Sequence, residues 1–177
     1  MIMDLGGKMK QKQYFLYTIG ILGMVLIDQI SKWLSICFLK SQPNFIIIKG
    51  VLELEYLENR GAAFGSFDGK RLFLILLTVG LTVLIAYRLI CIPEDKKYRG
   101  MKICLMAIIS GALGNLVDRI FRGYVVDFIY FVPINFPKFN IADSYIVVAL
   151  GFLMLLLFTY YNERDTEFLL SLKRRME

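Results

Sequence analysis

The chain has 177 residues, 57% of them hydrophobic, and a mean hydropathy of +0.59, which excludes an ordinary soluble domain and indicates a small polytopic membrane protein. Its net charge of +6 fits topology signals and contact with anionic membrane lipids, and no basic stretch with interleaved aromatic residues indicates nucleic-acid binding. The absence of histidine excludes Ser-His-Asp and Cys-His catalysis and most zinc sites.

Four apolar segments predict four membrane-spanning helices within one membrane domain. They cover about residues 14–39, 72–92, 101–120 and 144–161. Asp28 and Lys32 interrupt the first segment, so we expect an uncleaved first helix and not a removable signal peptide. Residues 162–177 form a polar tail of mixed charge, which we expect to extend into the cytoplasm.

The three cysteines lie in or beside these apolar segments without the spacing of metal ligands. They are Cys37, Cys91 and Cys104, and we expect them to be small buried hydrophobic residues. Neither a metal nor another cofactor is predicted.

The distribution of basic residues predicts that both termini are cytoplasmic. Four spans place the two ends of the chain on one side of the membrane. That side carries 12 of the 21 lysines and arginines, against nine elsewhere, which follows the positive-inside rule. The other side then holds two longer segments, residues 40–71 and 121–142.

Both of these outer segments have strand-like patterns. Phe45–Ile48 is rich in β-branched residues, and Val51–Leu57 partly alternates between apolar and polar residues. Tyr124–Val132 is again strand-like and ends at Pro133. We therefore predict a small sheet lying on the membrane surface.

Ionisable and strongly polar side chains of three predicted spans converge at the outer end of the bundle. They are Asp28 and Lys32 near the end of the first span, Asn115, Asp118 and Arg119 in the last two turns of the third, and Asp143 at the start of the fourth. An ionised group costs about 2.5–3.5 kcal/mol at the centre of a spanning helix, so this placement requires a partner or a function. From the outer segments, the side chains that can join are Asn44, Asn59, Asp127 and Asn140.

Several of these residues also have a purely structural interpretation. Asp28 and Lys32 fit equally well an ion pair that fixes the depth of the first helix and a part of a site. Asp118 and Arg119 point in different directions, so we expect each to pair with another span. Asn115 can join helices by hydrogen bonds, while Gly111 and Gly114 allow close helix packing.

Asp127 and Asp143 are the strongest candidates for catalysis. Asp143 alone would fit the N-cap of the fourth helix. Asp127 lies in the apolar run Val125–Ile129, where it has no capping role. Two carboxylates that share one proton can activate water and protonate a leaving amine near neutral pH. The pair therefore predicts an aspartyl hydrolase at a membrane surface.

Two other classes of function stay open at this point. An ion- or proton-coupled transporter also carries intramembrane Asp and Asn, although its polar groups should lie on both sides of the midplane. A non-enzymatic assembly or chaperone subunit would use the polar cluster for docking. In that case, replacing Asp127 or Asp143 by Asn would have little effect.

Five blocks of residues resemble the lipoprotein signal peptidases, the signal peptidase II family of bacterial inner-membrane aspartyl proteases. The blocks are Asp28-Gln29-Ile30-Ser31-Lys32, Asn59-Arg60-Gly61-Ala62-Ala63-Phe64-Gly65, Gly111-Ala112-Leu113-Gly114-Asn115-Leu116-Val117-Asp118-Arg119, Val125-Val126-Asp127-Phe128 and Phe139-Asn140-Ile141-Ala142-Asp143. They occur in the family's order over about two-thirds of the chain. Ser31 stands where the family often has Thr, and Phe136 where Trp is common.

The resemblance implies an α-helical polytopic membrane protein with four transmembrane helices, a small extracytoplasmic β-cradle and a further helix on that side. It implies Asp127 and Asp143 as a metal-free catalytic dyad. The positions that match residues building or supporting the site are Asp28, Lys32, Asn59, Gly61, Gly111, Asn115, Asp118, Arg119, Asn140 and Ala142. Gly61 and Gly65 would let their segment close over the substrate peptide.

The resemblance also implies the substrate and the location. The substrate is a prolipoprotein whose cysteine already carries diacylglycerol, and cleavage falls just before that cysteine. The protein would be a monomer in the bacterial cytoplasmic (inner) membrane, in contact with its lipids, with the active site on the extracytoplasmic side.

Overall fold

Within the part of the chain that the structure describes, four long helices and three short strands make up the fold. A computed structural model describes residues 2–61, 70–162 and 164–166. The helices are α1 (Ile2–Phe38), α2 (Arg71–Cys91), α3 (Arg99–Phe121) and α4 (Ile141–Thr159), and the strands are β1 (Phe45–Ile48), β2 (Leu52–Asn59) and β3 (Val125–Phe131). Single 3-10 turns lie at Lys96–Tyr98 and Val132–Ile134. The predicted closure by Gly65 and most of the predicted tail lie outside the described residues.

Helix α3 lies at the centre of the bundle and packs against the other three helices. Among the described residues, four helical stretches are long and apolar enough to cross a membrane: Gln13–Phe38, Arg71–Cys91, Lys96–Phe121 and Ile141–Thr159. Most of the surface of α2 and α4 is exposed and apolar, as expected for helices in contact with lipid. The predicted fold class, four membrane helices with a small sheet, is confirmed.

The three strands form one antiparallel sheet in the order β1-β2-β3. The β1–β2 connection contains Gly50 at a φ of +72°, a left-handed conformation that glycine adopts without steric cost. The register of β2 against β3 shifts between Leu54 and Leu57. The end of the bundle that carries this sheet is called the sheet end below. Apart from the turn Val132–Ile134, the described residues contain no further helix at that end.

The first part of β3 is buried on both faces, because the strand lies between the helices and the rest of the sheet. Val125, Val126, Asp127 and Phe128 are all buried. Beyond the strand the chain turns back, and Phe139 pairs with Ile129. This return brings the start of α4 alongside β3, so that residues far apart in sequence meet at the sheet end.

Two glycines of α3 allow the close packing that the sequence predicts. A Cβ atom at Gly111 would overlap the carbonyl oxygen of Ala142 on α4. A Cβ atom at Gly114 would lie 2.5 Å from a carboxylate oxygen of Asp28 on α1. Neither position can carry a side chain without displacing its neighbour, so both glycines set the distances between helices next to the polar cluster.

A buried lysine lies at the end of the bundle opposite the sheet end. Lys102 is 5% exposed, and its ammonium lies 3.0 Å from a carboxylate oxygen of Glu94. The hydropathy pattern did not single out this ion pair. The cysteine prediction is correct for Cys104, which is buried, whereas Cys91 is only half-buried. It is wrong for Cys37, which is exposed on α1.

Candidate active site

Asp127 is a buried carboxylate held by two asparagine side chains. It is 1% exposed on β3. Asn59, at the end of β2, donates its amide to Asp127 Oδ2 at 2.9 Å, and Asn140 donates to Oδ1 at 2.6 Å. Antiparallel pairing places Asn59 opposite Val125, so its side chain lies on the same face of the sheet as Asp127.

Asp143 lies in the first turn of α4, where both of its oxygens have donors. Asn115 of α3 donates its amide to Asp143 Oδ1 at 2.8 Å. The backbone N–H of Asn140 donates to Asp143 Oδ2 at 3.2 Å, while Asn140 Oδ1 accepts the N–H of Asp143 at 3.0 Å. This reciprocal arrangement is a capping box, which satisfies two N–H groups that the helix start leaves unpaired.

The start of α4 corrects two expectations drawn from sequence. The helix begins at Ile141 and not at Ser144, and its N-cap is Asn140, with Asp143 as the reciprocal partner. The apolar run starts only after Asp143, and for this reason hydropathy placed the helix start too late. An Asn-x-x-Asp spacing is the sequence signal that could have identified the box.

Asn115 and Asn140 connect the two carboxylates. The Asn140 amide donates to Asn115 Oδ1 at 3.2 Å in addition to its bond with Asp127. A continuous path of hydrogen bonds therefore runs from Asp127 through both amides to Asp143. The Asn140 amide donates twice on this path, and the Asn115 amide donates once.

Lys32 is a fully buried cation at the centre of the polar cluster. Its ammonium lies 2.9 Å from Asp28 Oδ2, 3.0 Å from Asp118 Oδ2 and 2.9 Å from Asn115 Oδ1. The side chains of Lys32, Asp28 and Asp118 have zero exposure. An ammonium group has three donors, and each of them finds an acceptor here.

Asp28 and Asp118 use their remaining acceptor capacity to join other elements to the cluster. Asp28 Oδ1 accepts the backbone N–H of Ala142 at 3.0 Å, which joins α1 to the head of α4. Asp118 Oδ2 accepts the N–H of Val126 at 3.2 Å, which joins α3 to β3. The Asp28–Lys32 pair is therefore both an ion pair that stabilises the fold and a support for the site, because it holds the elements that carry Asp127 and Asp143.

Two further residues contact Asp28 or Asp118 and were missed by sequence reasoning. Gln29 donates to Asp28 Oδ2 and to the carbonyl of Gly114, both at 3.1 Å. Arg122 pairs with Asp118 and donates to the Gln29 side-chain oxygen. Arg122 lies just beyond the last turn of α3, and no spacing rule relates it to a residue 93 positions earlier in the chain.

Arg119 corrects a further expectation. It does not pair with another span, but donates to the carbonyl of Gly61 at 3.2 Å. The Gly61 N–H in turn donates to Asn59 Oδ1 at 3.0 Å. Arg119 lies in the last helical turn of α3, and its acceptor is in the segment directly after β2, two residues beyond the end of that strand. Asn44 also lies outside the cluster, since it is exposed and donates to Glu53 and Glu55.

Both catalytic candidates line one cavity of about 430 Å³ at the sheet end. Its polar wall is formed by Asn59, Asn115, Arg119, Asp127, Lys138, Asp143 and Ser144. Another part of the wall is apolar and includes Ile146, Val147 and Val148 of α4. Val147 and Val148 are 69% and 70% exposed, so this wall continues directly into the lipid-facing surface.

Burial of Asp127 gives this carboxyl an acidity suited to proton transfer near neutral pH. Burial in a low-dielectric site and the negative charge of Asp143 raise the pKa of Asp127 to about 7. The hydrogen bonds from Asn59 and Asn140 and the charge of Lys32 oppose this increase. A group that titrates near the working pH can both hold and release a proton during a reaction.

The described residues contain no group of three or more Cys, Asp or Glu side chains placed to hold a metal ion. The cavity instead offers two carboxylates, amides and an arginine. These groups can position a water molecule, accept its proton and return a proton to a leaving group.

A family model and the most similar relatives described here point to the same family. A family model described as signal peptidase (SPase) II matches residues 20–159. The lipoprotein signal peptidase of Caldanaerobacter subterraneus subsp. tengcongensis is 44% identical over 136 residues, which are 75% of this chain and 90% of the relative. The one from Clostridium tetani is 44% identical over 141 residues, which are 78% of this chain and 87% of the relative.

Solved structures agree with this match. Two structures of a bacterial membrane enzyme determined by the in meso method superpose with a TM-score of 0.71 each. Their sequences are 29% and 30% identical to this one, and the alignments cover 84% and 82% of this chain and 92% and 94% of the solved chains. The match covers both the membrane helices and the residues of the candidate active site, and the chain belongs to the signal peptidase II family.

Proposed function

We propose that this protein is a membrane aspartic endopeptidase that removes signal peptides from diacylglyceryl-modified prolipoproteins, with Asp127 and Asp143 as its catalytic dyad. Cleavage falls before the lipidated cysteine. The observation that carries the assignment of the dyad is that both carboxylates line one cavity and are joined through the amides of Asn115 and Asn140. Membership of the peptidase family argues against the transport and assembly alternatives.

The environments of the two carboxylates suggest how one proton is divided between them. Asp143 lies at the head of α4 and accepts hydrogen bonds from the Asn115 amide and from the backbone N–H of Asn140. Burial favours the protonated form of Asp127, whose pKa is raised to about 7. The proton belongs to the pair, since each charge affects the other.

The reaction follows from this division. The ionised carboxylate takes a proton from a water molecule as that water attacks the scissile carbonyl. The protonated carboxyl polarises the carbonyl oxygen and then gives its proton to the leaving amine. Asn115 and Asn140 hold the carboxylates in this state, so their amides act first as supports for the dyad. Arg119 lines the same cavity as both acids, and its charge would offset negative charge developing on the oxyanion.

The apolar wall of the cavity supports a lipid-anchored substrate. Exposed Val147 and Val148 place this wall where acyl chains can approach it from the membrane. Binding energy from the acyl chains, which do not react, can then position the peptide bond near the dyad. We place the sheet end and the active site on the extracytoplasmic side of the bacterial cytoplasmic membrane, with both termini cytoplasmic and the protein active as a monomer surrounded by lipid.

The dyad is tested by two single substitutions in purified protein. Asp127→Asn and Asp143→Asn should each lower kcat on a diacylglyceryl-modified precursor at least about a thousandfold, because an amide cannot exchange the proton. Asp95→Asn is the matched control, since Asp95 caps the turn at the opposite end of the bundle and Asn retains that capping oxygen.

A second arm tests the substrate class. The unlipidated form of the same precursor should be cleaved far more slowly than the diacylglyceryl-modified form. If either dyad variant processed the lipidated precursor at the wild-type rate, the catalytic assignment would be wrong. Equal rates on both precursors would remove the role assigned to the lipid.

A further inference from the structure

A second groove opens next to the catalytic cavity. It has a volume of about 520 Å³ and is lined by β2 and the two residues that follow it, by Tyr130 of β3, and by the segment between β3 and α4. The groove and the cavity share Asn59, Phe136, Pro137 and Lys138. Asn59 donates directly to Asp127, so the groove begins one residue away from the dyad.

The groove and the cavity have different chemical character. The cavity has an apolar wall that faces lipid. The groove carries two carboxylates, Glu55 and Glu58, and two cations, Arg60 and Lys138. A charged groove beside an apolar cavity suits a substrate whose two halves differ in polarity in the same way.

The side chains of the groove are held by contacts within its wall. Lys138 lies 2.7 Å from Glu55, and its ammonium stands 5.5 Å from the centre of the Tyr130 ring. The Tyr130 hydroxyl donates to Asn135 Oδ1 at 2.7 Å. These contacts join β2 to the segment before α4, so the groove has a shape before any ligand enters.

The geometry points to this groove as the binding site for the first residues of the mature lipoprotein, those that follow the lipidated cysteine. This inference rests on the proposed function. A peptide bond placed at the dyad has its apolar signal sequence and acyl chains towards the membrane. The polar chain beyond the cysteine must leave the cavity on the other side, and the groove that starts at Asn59 provides such a path.

The charged side chains that line the groove are paired with one another or with a neighbouring cation. Glu55 and Lys138 compensate each other, as do Glu58 and the cations Lys40 and Arg60, at 2.7, 3.0 and 3.6 Å. A groove with balanced charge accepts polar residues of either sign with little preference. A substitution that unbalances it should therefore create a preference for the opposite sign in the residues that follow the cysteine.

The test uses two substitutions that change the charge in opposite directions. Glu55→Lys makes the groove cationic, and Arg60→Glu makes it anionic. Neither residue lines the catalytic cavity, and the side chains of Glu55 and Arg60 are 32% and 67% exposed, so the fold should tolerate both changes. Lys49→Glu is the matched control, because Lys49 is exposed in the β1–β2 hairpin and does not line the groove.

Each variant is assayed on two lipidated precursors that carry Asp or Lys at the second and third positions after the cysteine. The measured quantity is the ratio of kcat/KM for the Asp precursor to that for the Lys precursor. Relative to wild type, Glu55→Lys should raise this ratio about threefold to tenfold, and Arg60→Glu should lower it by a similar factor. Lys49→Glu should leave the ratio unchanged, and about 1 M salt should reduce the differences.

Opposite shifts separate recognition from damage, since a structural defect lowers kcat/KM for both precursors alike. Unchanged ratios in both groove variants, or equal shifts in the Lys49→Glu control, would overturn the inference. A wild-type protein that cleaved neither precursor would instead overturn the proposed function, so the two failures are distinguishable.

Discussion

The ammonium of Lys32 lies 2.9 Å from the side-chain oxygen of Asn115, and this contact fixes which way round the Asn115 amide faces Asp143. Asn140 donates to the same oxygen at 3.2 Å. With both donors on Oδ1, the amide nitrogen of Asn115 is directed at Asp143, which it contacts at 2.8 Å. A lysine on the first helix thus positions a carboxylate on the fourth.

Replacing Lys32 by Met should lower both stability and kcat. The substitution leaves the buried carboxylates of Asp28 and Asp118 without their shared cation. Removing one partner of a buried ion pair typically costs about 3–5 kcal/mol, so the thermal midpoint in detergent should fall. In protein that remains folded, the Asn115 amide can turn over and present its oxygen to Asp143. We expect kcat to fall by a factor at least about ten times larger than the factor by which KM changes.

Lys102→Met is the matched control for this prediction. Lys102 is the other buried lysine of the described helices, and it pairs with Glu94 at the opposite end of the bundle. Its loss should lower stability while leaving the kcat of the folded fraction unchanged. A folded Lys32→Met protein with wild-type kcat and an unchanged pH profile would show that Lys32 has only a structural role.

A pair of substitutions at Asn140 separates its capping role from its role in the site. Asn140→Ser retains a good N-cap, whereas Asn140→Ala does not, so their free energies of unfolding should differ by about 1 kcal/mol. Both lose the amide that contacts Asp127 and Asn115. Both should therefore lose activity to a similar extent, at least about tenfold in kcat. Full activity of Asn140→Ser would mean that capping is the whole role of this residue.

Gly111 and Gly114 should not tolerate alanine. The added methyl group would overlap the Ala142 carbonyl in one case and the Asp28 carboxylate in the other. Forcing extra volume into a packed interface typically costs about 1–3 kcal/mol and would move α3 away from the elements that hold the dyad. Thermal midpoints and kcat should both fall.

The control for the two glycines lies on α4. A Cβ atom at Gly151 has no neighbour within 4 Å, so Gly151→Ala should be neutral or stabilise the helix by up to about 1 kcal/mol. If Gly111→Ala were as stable and as active as Gly151→Ala, close packing at this position would not support the site.

The local structure of this chain is largely predictable from sequence. The β-branched run at residues 45–48 forms β1 with those bounds, and the apolar run at 124–132 contains β3 at Val125–Phe131. Membrane helices are similarly evident, because a polar backbone in lipid has few alternatives to a helix. Helix α1 nevertheless begins at Ile2, well before the apolar segment at residue 14, since polar residues outside the membrane can continue a helix that hydropathy does not register.

The partners of the charged residues are less predictable. Depth in the membrane predicts that Asp28, Lys32 and Asp118 lie at the same end of the bundle. It does not predict that one ammonium contacts both carboxylates. That depends on helix rotation and on the close approach that Gly114 permits. Lys138 was missed for a similar reason. It lies beside both the cavity and the groove because Phe139 pairs with Ile129, and no local sequence pattern predicts this pairing.

The raised pKa of Asp127 predicts how stability depends on pH. Folding changes the pKa of this carboxyl from its ordinary value of 3.8 to about 7, so the folded chain binds the proton more tightly than the unfolded chain. The resulting contribution favours folding and is fully present below the unfolded pKa of 3.8. It is lost as the pH rises through about 7, and the total change is on the order of 4 kcal/mol.

Asp127→Asn isolates this contribution because an amide does not ionise. Its altered hydrogen bonds give an offset in stability that does not vary with pH. Wild type should therefore lose stability relative to Asp127→Asn between about pH 4 and pH 8, measured as thermal midpoints of both proteins in the same detergent. Parallel midpoint curves over this range would mean that Asp127 does not hold its proton more tightly in the folded protein.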